Sequence, residues 1–145
     1  MAEVYSQEDY LIGITGRREN LLEEVCARDK DKLFYQVCDI TDTQATIHPS
    51  KLSLKDGWNG YIDYLCRDRR TKSRTLLPME EPTLLTNVIG SPTSQTGVPI
   101  FRTAKSGHLV TISSVGGTRG SGIAPAYNAS KAYQINYMEG LRQKA

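Results

Sequence analysis

A chain of 145 residues is long enough for one ordinary domain, and 18 basic against 16 acidic residues leave a net charge of +2, which gives no global electrostatic case for nucleic acid. Three cysteines without a Cys-x-x-Cys pair, and only His48 and His108 beside them, exclude an obvious zinc site and give no disulfide framework. No stretch reaches the roughly 20 apolar residues of a membrane span and the N-terminus lacks a basic-then-apolar signal, so a cytoplasmic location is the default expectation.

The first predicted element is a short buried strand, Leu11-Ile12-Gly13-Ile14-Thr15-Gly16, which ends in the basic turn Arg17-Arg18. Apolar residues at helical spacing between Glu19 and Ala27 make the whole a β-α step. The next strand lies within Leu33 to Asp42 and leaves an acidic turn, where Asp39 or Asp42 is suited to cap a following helix. Cys66 to Arg74 is an abrupt basic run without interleaved aromatics, read as a solvated loop in preference to a phosphate contact. Gly90 to Gly97 is rich in turn formers.

Gly107 to Ser114 reads as a buried strand of β-branched residues that finishes in small hydroxyls, and an open parallel sheet places its ligands at that end. The Gly- and Ser-rich segment Gly116 to Pro125 is then a loop able to pass close to a ligand. Thirteen residues after Ser114 stands Tyr127, followed four later by Lys131. On a helix this spacing puts phenol and ammonium on one face. An unperturbed phenol titrates near ~10, and a neighbouring cation favours the phenolate, which makes Tyr127 a usable general acid or base. The structural alternative is an exposed pair on a helix.

Together these residues resemble the catalytic segment of the short-chain dehydrogenase/reductase family. The resemblance covers Gly107 to Ala145, with the family's serine, tyrosine and lysine falling on Ser114, Tyr127 and Lys131. It implies that Tyr127 moves the proton, Lys131 lowers its pKa and holds the nicotinamide ribose, and Ser114 positions the substrate oxygen. Thr86-Asn87-Val88-Ile89-Gly90 resembles the helix carrying the family's fourth residue, so Asn87 is expected to hold a water that relays protons through the lysine. Asp39-Ile40-Thr41 resembles the adenine-contacting turn, with Asp39 accepting from the adenine amino group and Ile40 packing on the ring. Arg17 and Arg18 stand where the family distinguishes its cofactors, and their charge favours NADP(H) over NAD(H), unless they are simply solvated.

The chain also departs from the pattern. The Thr-Gly-x-x-x-Gly-x-Gly loop that approaches the pyrophosphate has no counterpart before Thr15, and Ala2 to Tyr10 resembles the end of the helix that follows that loop. Gly60 to Leu65 looks like the fourth strand, but the basic run replaces the expected apolar finish. Codons can be chosen so that a neighbouring reading frame restores family-like sequence at 66–80 and 91–102, which then need not form regular structure.

The expected fold is therefore an α/β, Rossmann-like parallel sheet with flanking helices, incomplete because the first and the C-terminal strands are missing, and residues 1–145 form one partial dinucleotide-binding domain. The expected function is hydride transfer between a nicotinamide cofactor and a carbonyl or alcohol. A small-molecule substrate is the expected partner, with no nucleic acid and no membrane, and self-association through the helices near Asn87 and Tyr127 follows from the resemblance. The rival reading is a non-catalytic truncated remnant that acts, if at all, by association with an intact homologue.

Overall fold

The computed structural model describes residues 2–8, 10, 12–42, 61–64, 77–90, 102, 105 and 108–144. They fall into two compact units, Met1–Gly60 and Tyr61–Ala145. Cys66, the basic run to Arg74 and residues 91–101 lie outside the described residues.

The first unit is a strand-helix-strand step. After a short helix α1 (Ala2–Tyr5), strand β1 (Ile12–Gly16) leads into helix α2 (Glu19–Cys26) and strand β2 (Leu33–Val37). The strands pair in parallel from Ile12 opposite Leu33 to Gly16 opposite Val37, and Cys38 N extends the ladder by donating to Gly16 O at 2.8 Å. Parallel strands need such a crossover, and the spacing of Leu22, Val25 and Cys26 gives α2 an apolar side to turn inward. Leu33 and Cys26 are buried, and Leu22 packs on Gly16. Burial pushes the Cys26 thiol up, as a small apolar core residue requires. Lys32 Nζ donates to the main-chain oxygens of Glu8 at 2.9 Å and Ser6 at 3.3 Å, tying the N-terminal segment to the start of β2.

The second unit is built on strands β3 (Tyr61–Tyr64) and β4 (His108–Thr111), parallel from Tyr61 opposite His108 to Tyr64 opposite Thr111. Helix α3 (Leu77–Leu84) runs without a break into a π-helical turn, Leu85–Ile89, in which Gly90 N donates to Leu85 O at 3.0 Å. Leu77 to Glu80 are thus helical, within the segment 66–80 that on the sequence reading need not form regular structure. Pro82 lacks the N–H that an α-helix would use there.

Beyond β4 a 3-10 turn, Val115–Gly117, leads to the long helix α4 (Pro125–Lys144), about 30 Å at 1.5 Å per residue. Pro125 occupies the first helical position, where its missing N–H costs nothing. Glu80 accepts from the Ala126 N–H at 3.4 Å and brings a carboxylate to the positive end of the helix. Arg142 and Lys144 lie in the last turn, where cations suit the dipole, and Arg142 donates twice to Glu139, at 2.7 and 2.9 Å. These bonds hold the Glu139 carboxyl down at about 2.

Among the described residues the largest fully buried side chains are all polar: Lys131, Gln134, Asn87, Thr83 and Ser130. All five belong to the second unit. Burying polar groups costs free energy unless they are bonded, so such a cluster is unusual as a core and informative as a site.

Candidate active site

Tyr127 and Lys131 lie one turn apart on α4, as their spacing predicts. The Lys131 ammonium stands 5.9 Å from the centre of the Tyr127 ring, while its side chain is fully buried. Lys131 Nζ donates to Ile112 O at 2.8 Å and to Gln134 Oε1 at 3.0 Å. The first bond anchors the ammonium just past the end of β4. The second comes from the next turn of its own helix.

Asn87 reaches the same cluster from the π-helical turn. Its Nδ2 donates to Ser130 Oγ at 3.0 Å, and the Ser130 hydroxyl donates to Tyr127 O at 2.7 Å. Its main-chain oxygen accepts from Gln134 Nε2 at 3.1 Å. Asn87 Oδ1 is buried and has no hydrogen-bond partner among the described residues. A buried acceptor of this kind is one that ordered water commonly satisfies. π-Helical turns recur at functional sites because the wider turn redirects a side chain or carbonyl that a regular helix would bond internally.

Ser114 does not sit at the last residue of the strand. The ladder ends at Thr111, and Ser114 begins the 3-10 turn, where its Oγ accepts from Gly116 N at 3.1 Å. Ser113 Oγ donates to Lys131 O at 3.1 Å on α4, so the Ser114 hydroxyl is bonded locally and the Ser113 hydroxyl across to the helix. Gly117 makes this packing feasible. A Cβ there would lie 2.9 Å from the carbonyl carbon of Lys131 and 2.9 Å from Ile135 Cδ1. The turn that carries Ser114 therefore rests directly on the backbone of α4 beside the lysine.

The remaining candidates belong to the first unit. Arg17 and Arg18 follow β1 and are exposed, and Arg17 Nη1 lies 3.6 Å from Asp39 Oδ2. The other Asp39 oxygen accepts from Thr41 N at 2.9 Å and Thr41 Oγ1 at 2.7 Å, which closes an Asx turn. Ile40 within that turn is half-buried. The Thr41 backbone bond, then its hydroxyl, then Arg17 hold the Asp39 carboxyl below its ordinary value. Residues 43–60 lie outside the described residues, so the cap of a following helix does too.

A group with a lowered folded pKa stabilises the fold above its unfolded value, near ~4, and loses that contribution as pH falls through the folded one. Thermal melts of the parent and Asp39→Asn should therefore differ most at neutral pH and converge in acid. A difference that stays constant down to the acid limit of folding would contradict the turn's electrostatic role.

Gln134 and Ser130 were not candidates from the sequence. Gln134 stands three residues after Lys131 and seven after Tyr127, the same helix face, and that periodicity was the one available signal.

Comparisons with known proteins bear on the same residues. A family model described as short chain dehydrogenase matches residues 78–145. A C alpha-dehydrogenase of Sphingobium sp. is 51% identical over 44 residues, 30% of this chain and 14% of that protein. An uncharacterized oxidoreductase of Myxococcus xanthus is 34% identical over 110 residues, 72% of this chain and 43% of that protein. Among solved structures, the closed form of serine dehydrogenase complexed with NADP+ is 21% identical with a TM-score of 0.82, covering 99% of this chain and 60% of that one. The chain spans less than half the length of these curated relatives. Among the described residues no helix is long and apolar enough to cross a membrane. The parallel α/β architecture, the residues of the second unit and these matches agree, and residues 78–145 are similar to the short chain dehydrogenase family whose model they match.

Proposed function

We propose that this chain carries the proton-transfer site of an NADP(H)-dependent oxidoreductase that interconverts a carbonyl and an alcohol. The observation that carries the reading is the buried Lys131 ammonium held beneath the ring of Tyr127. Bonds to Ile112 O and Gln134 Oε1 fix it there, so its charge acts on the phenol from a set position.

Each unit carries donors suited to one part of a nicotinamide dinucleotide. Exposed guanidinium groups at Arg17 and Arg18 match a phosphate in charge and fork geometry, and Asp39 and Ile40 suit an adenine amino group and ring. The Tyr127 hydroxyl and the Lys131 ammonium suit ribose hydroxyls. The cofactor supplies or accepts the hydride. Tyr127 exchanges the proton with the substrate oxygen, which Ser114 orients, and Lys131 favours the phenolate form. Asn87 holds a relay water, a role supported by its buried, unpartnered Oδ1.

The reading also includes a cytoplasmic setting and self-association through the helical segments that carry Asn87 and Tyr127, where Leu85, Ile89 and Ile135 are exposed. Serine dehydrogenase with NADP+ supports a nicotinamide cofactor by likeness of fold.

Fluorescence titration tests this directly. The chain should enhance NADPH emission on binding, and Arg17→Ala or Arg18→Ala should weaken NADPH by about tenfold while leaving NADH little changed, the scale of one charge-assisted hydrogen bond. Equal loss for both cofactors would remove the arginines from phosphate recognition. A cooperatively melting chain with neither binding nor turnover would favour the non-catalytic remnant.

A further inference from the structure

Gln134 joins Lys131 to Asn87. Its Oε1 accepts from Lys131 Nζ at 3.0 Å, and its Nε2 donates to Asn87 O at 3.1 Å. The orientation of the amide is fixed by chemistry, since an ammonium only donates and a main-chain carbonyl only accepts. Both contacts are buried, and Gln134 itself is 2% exposed. Met and Leu offer neither bond, and a carboxylate offers only the acceptor. At this length, a carboxamide alone satisfies both neighbours.

We propose that Gln134 is a positioning residue of the active site, which sets the place of the Lys131 ammonium beneath Tyr127 and ties it to the π-helical turn carrying Asn87. The proposal rests on the reading of Lys131 as the lysine of the proton-transfer site. The amide occupies one of the two lone pairs of the Asn87 carbonyl, and the side-chain Oδ1 of Asn87 is a buried acceptor open to water. Lys131 Nζ is then fixed from two sides, by Ile112 O after β4 and by Gln134 from within α4. Without Gln134 the ammonium loses one of the bonds that fix its place. Its charge would then no longer be delivered from a single position.

The test is nuclear magnetic resonance of the lysine ammonium groups in the chain without cofactor, with the Lys131 signal assigned from its loss in Lys131→Arg. In the parent, Lys131 should give a slowly exchanging ammonium signal and a coupling across the hydrogen bond from Nζ to the Gln134 side-chain carbonyl carbon. In Gln134→Met, which keeps length and apolar volume, ammonium proton exchange in the folded chain should quicken at least about tenfold. Gln134→Glu keeps the acceptor and should retain the slow signal. Met performing as well as the parent, or a parent without the coupling, would overturn the proposal, and the coupling decides the matter even if Gln134→Met does not fold.

A second readout uses turnover. Gln134→Met should lower kcat about tenfold while Gln134→Glu, which keeps the acceptor for Lys131, stays closer to the parent, and an equal loss in the two variants would also count against a positioning role. Failure of the parent to bind NADPH would sink the functional reading while leaving the ammonium measurements to judge Gln134 on its own.

Discussion

Replacing Tyr127 with Phe is expected to lower turnover by about two to four orders of magnitude, the range typical for loss of a general acid-base group, while NADPH binding and melting temperature stay close to the parent. The substitution removes one hydroxyl and little else. The ring over the Lys131 ammonium remains, and Ser130 Oγ still donates to the main-chain oxygen at position 127. Helix α4 therefore keeps its first turns. Steady-state rates together with fluorescence binding check the expectation. A variant that retains a tenth or more of the parent rate would take Tyr127 out of the proton-transfer role.

Gly117→Ala should have the largest effect on stability. The new Cβ would stand 2.9 Å from Lys131 C and 3.0 Å from Lys131 O, both main-chain atoms of a long helix, as well as 2.9 Å from Ile135 Cδ1. Neither backbone can yield cheaply, so overpacking of about 1–3 kcal/mol is expected, together with a drop of several degrees in melting temperature. Activity should fall with it, because the displaced turn carries Ser114. Gly116→Ala is the control. Its Cβ would meet the side-chain Oδ1 of Asn128 at 2.9 Å rather than a helix backbone. Equal destabilisation by the two substitutions would show that backbone contact at Gly117 is not the cause.

The parts legible in the sequence are those governed by local patterning. The apolar run Ile12 to Ile14, the spacing of Leu22, Val25 and Cys26, and the β-branched run before Ser113 each declare an element without outside help. Tyr127 and Lys131 declare a shared helical face. What could not be read depends on partners far along the chain. Gln134 gains its meaning only when Asn87, 47 residues earlier, presents a main-chain carbonyl. The π-helical turn at Leu85–Ile89 breaks the 3.6-residue period on which a helical reading rests, so the burial of Asn87 has no periodic signature. Asp39 shows a milder limit. Its turn with Thr41 is a local bond that an Asp-x-Thr sequence permits, while its ion pair to Arg17 depends on β1 and β2 lying side by side.

The anchoring of Lys131 by Ile112 has a consequence for how the site can vary. The atom that accepts from the ammonium is a main-chain oxygen, and the Ile112 side chain is 44% exposed and takes no part in the bond. Asn87 likewise offers Gln134 its main-chain oxygen. Position 112 is therefore open to substitution by any residue that holds an extended backbone, whereas position 131 has no such latitude. A saturation library through this region would separate the two, with nearly every amino acid surviving at one and a single amino acid at the other.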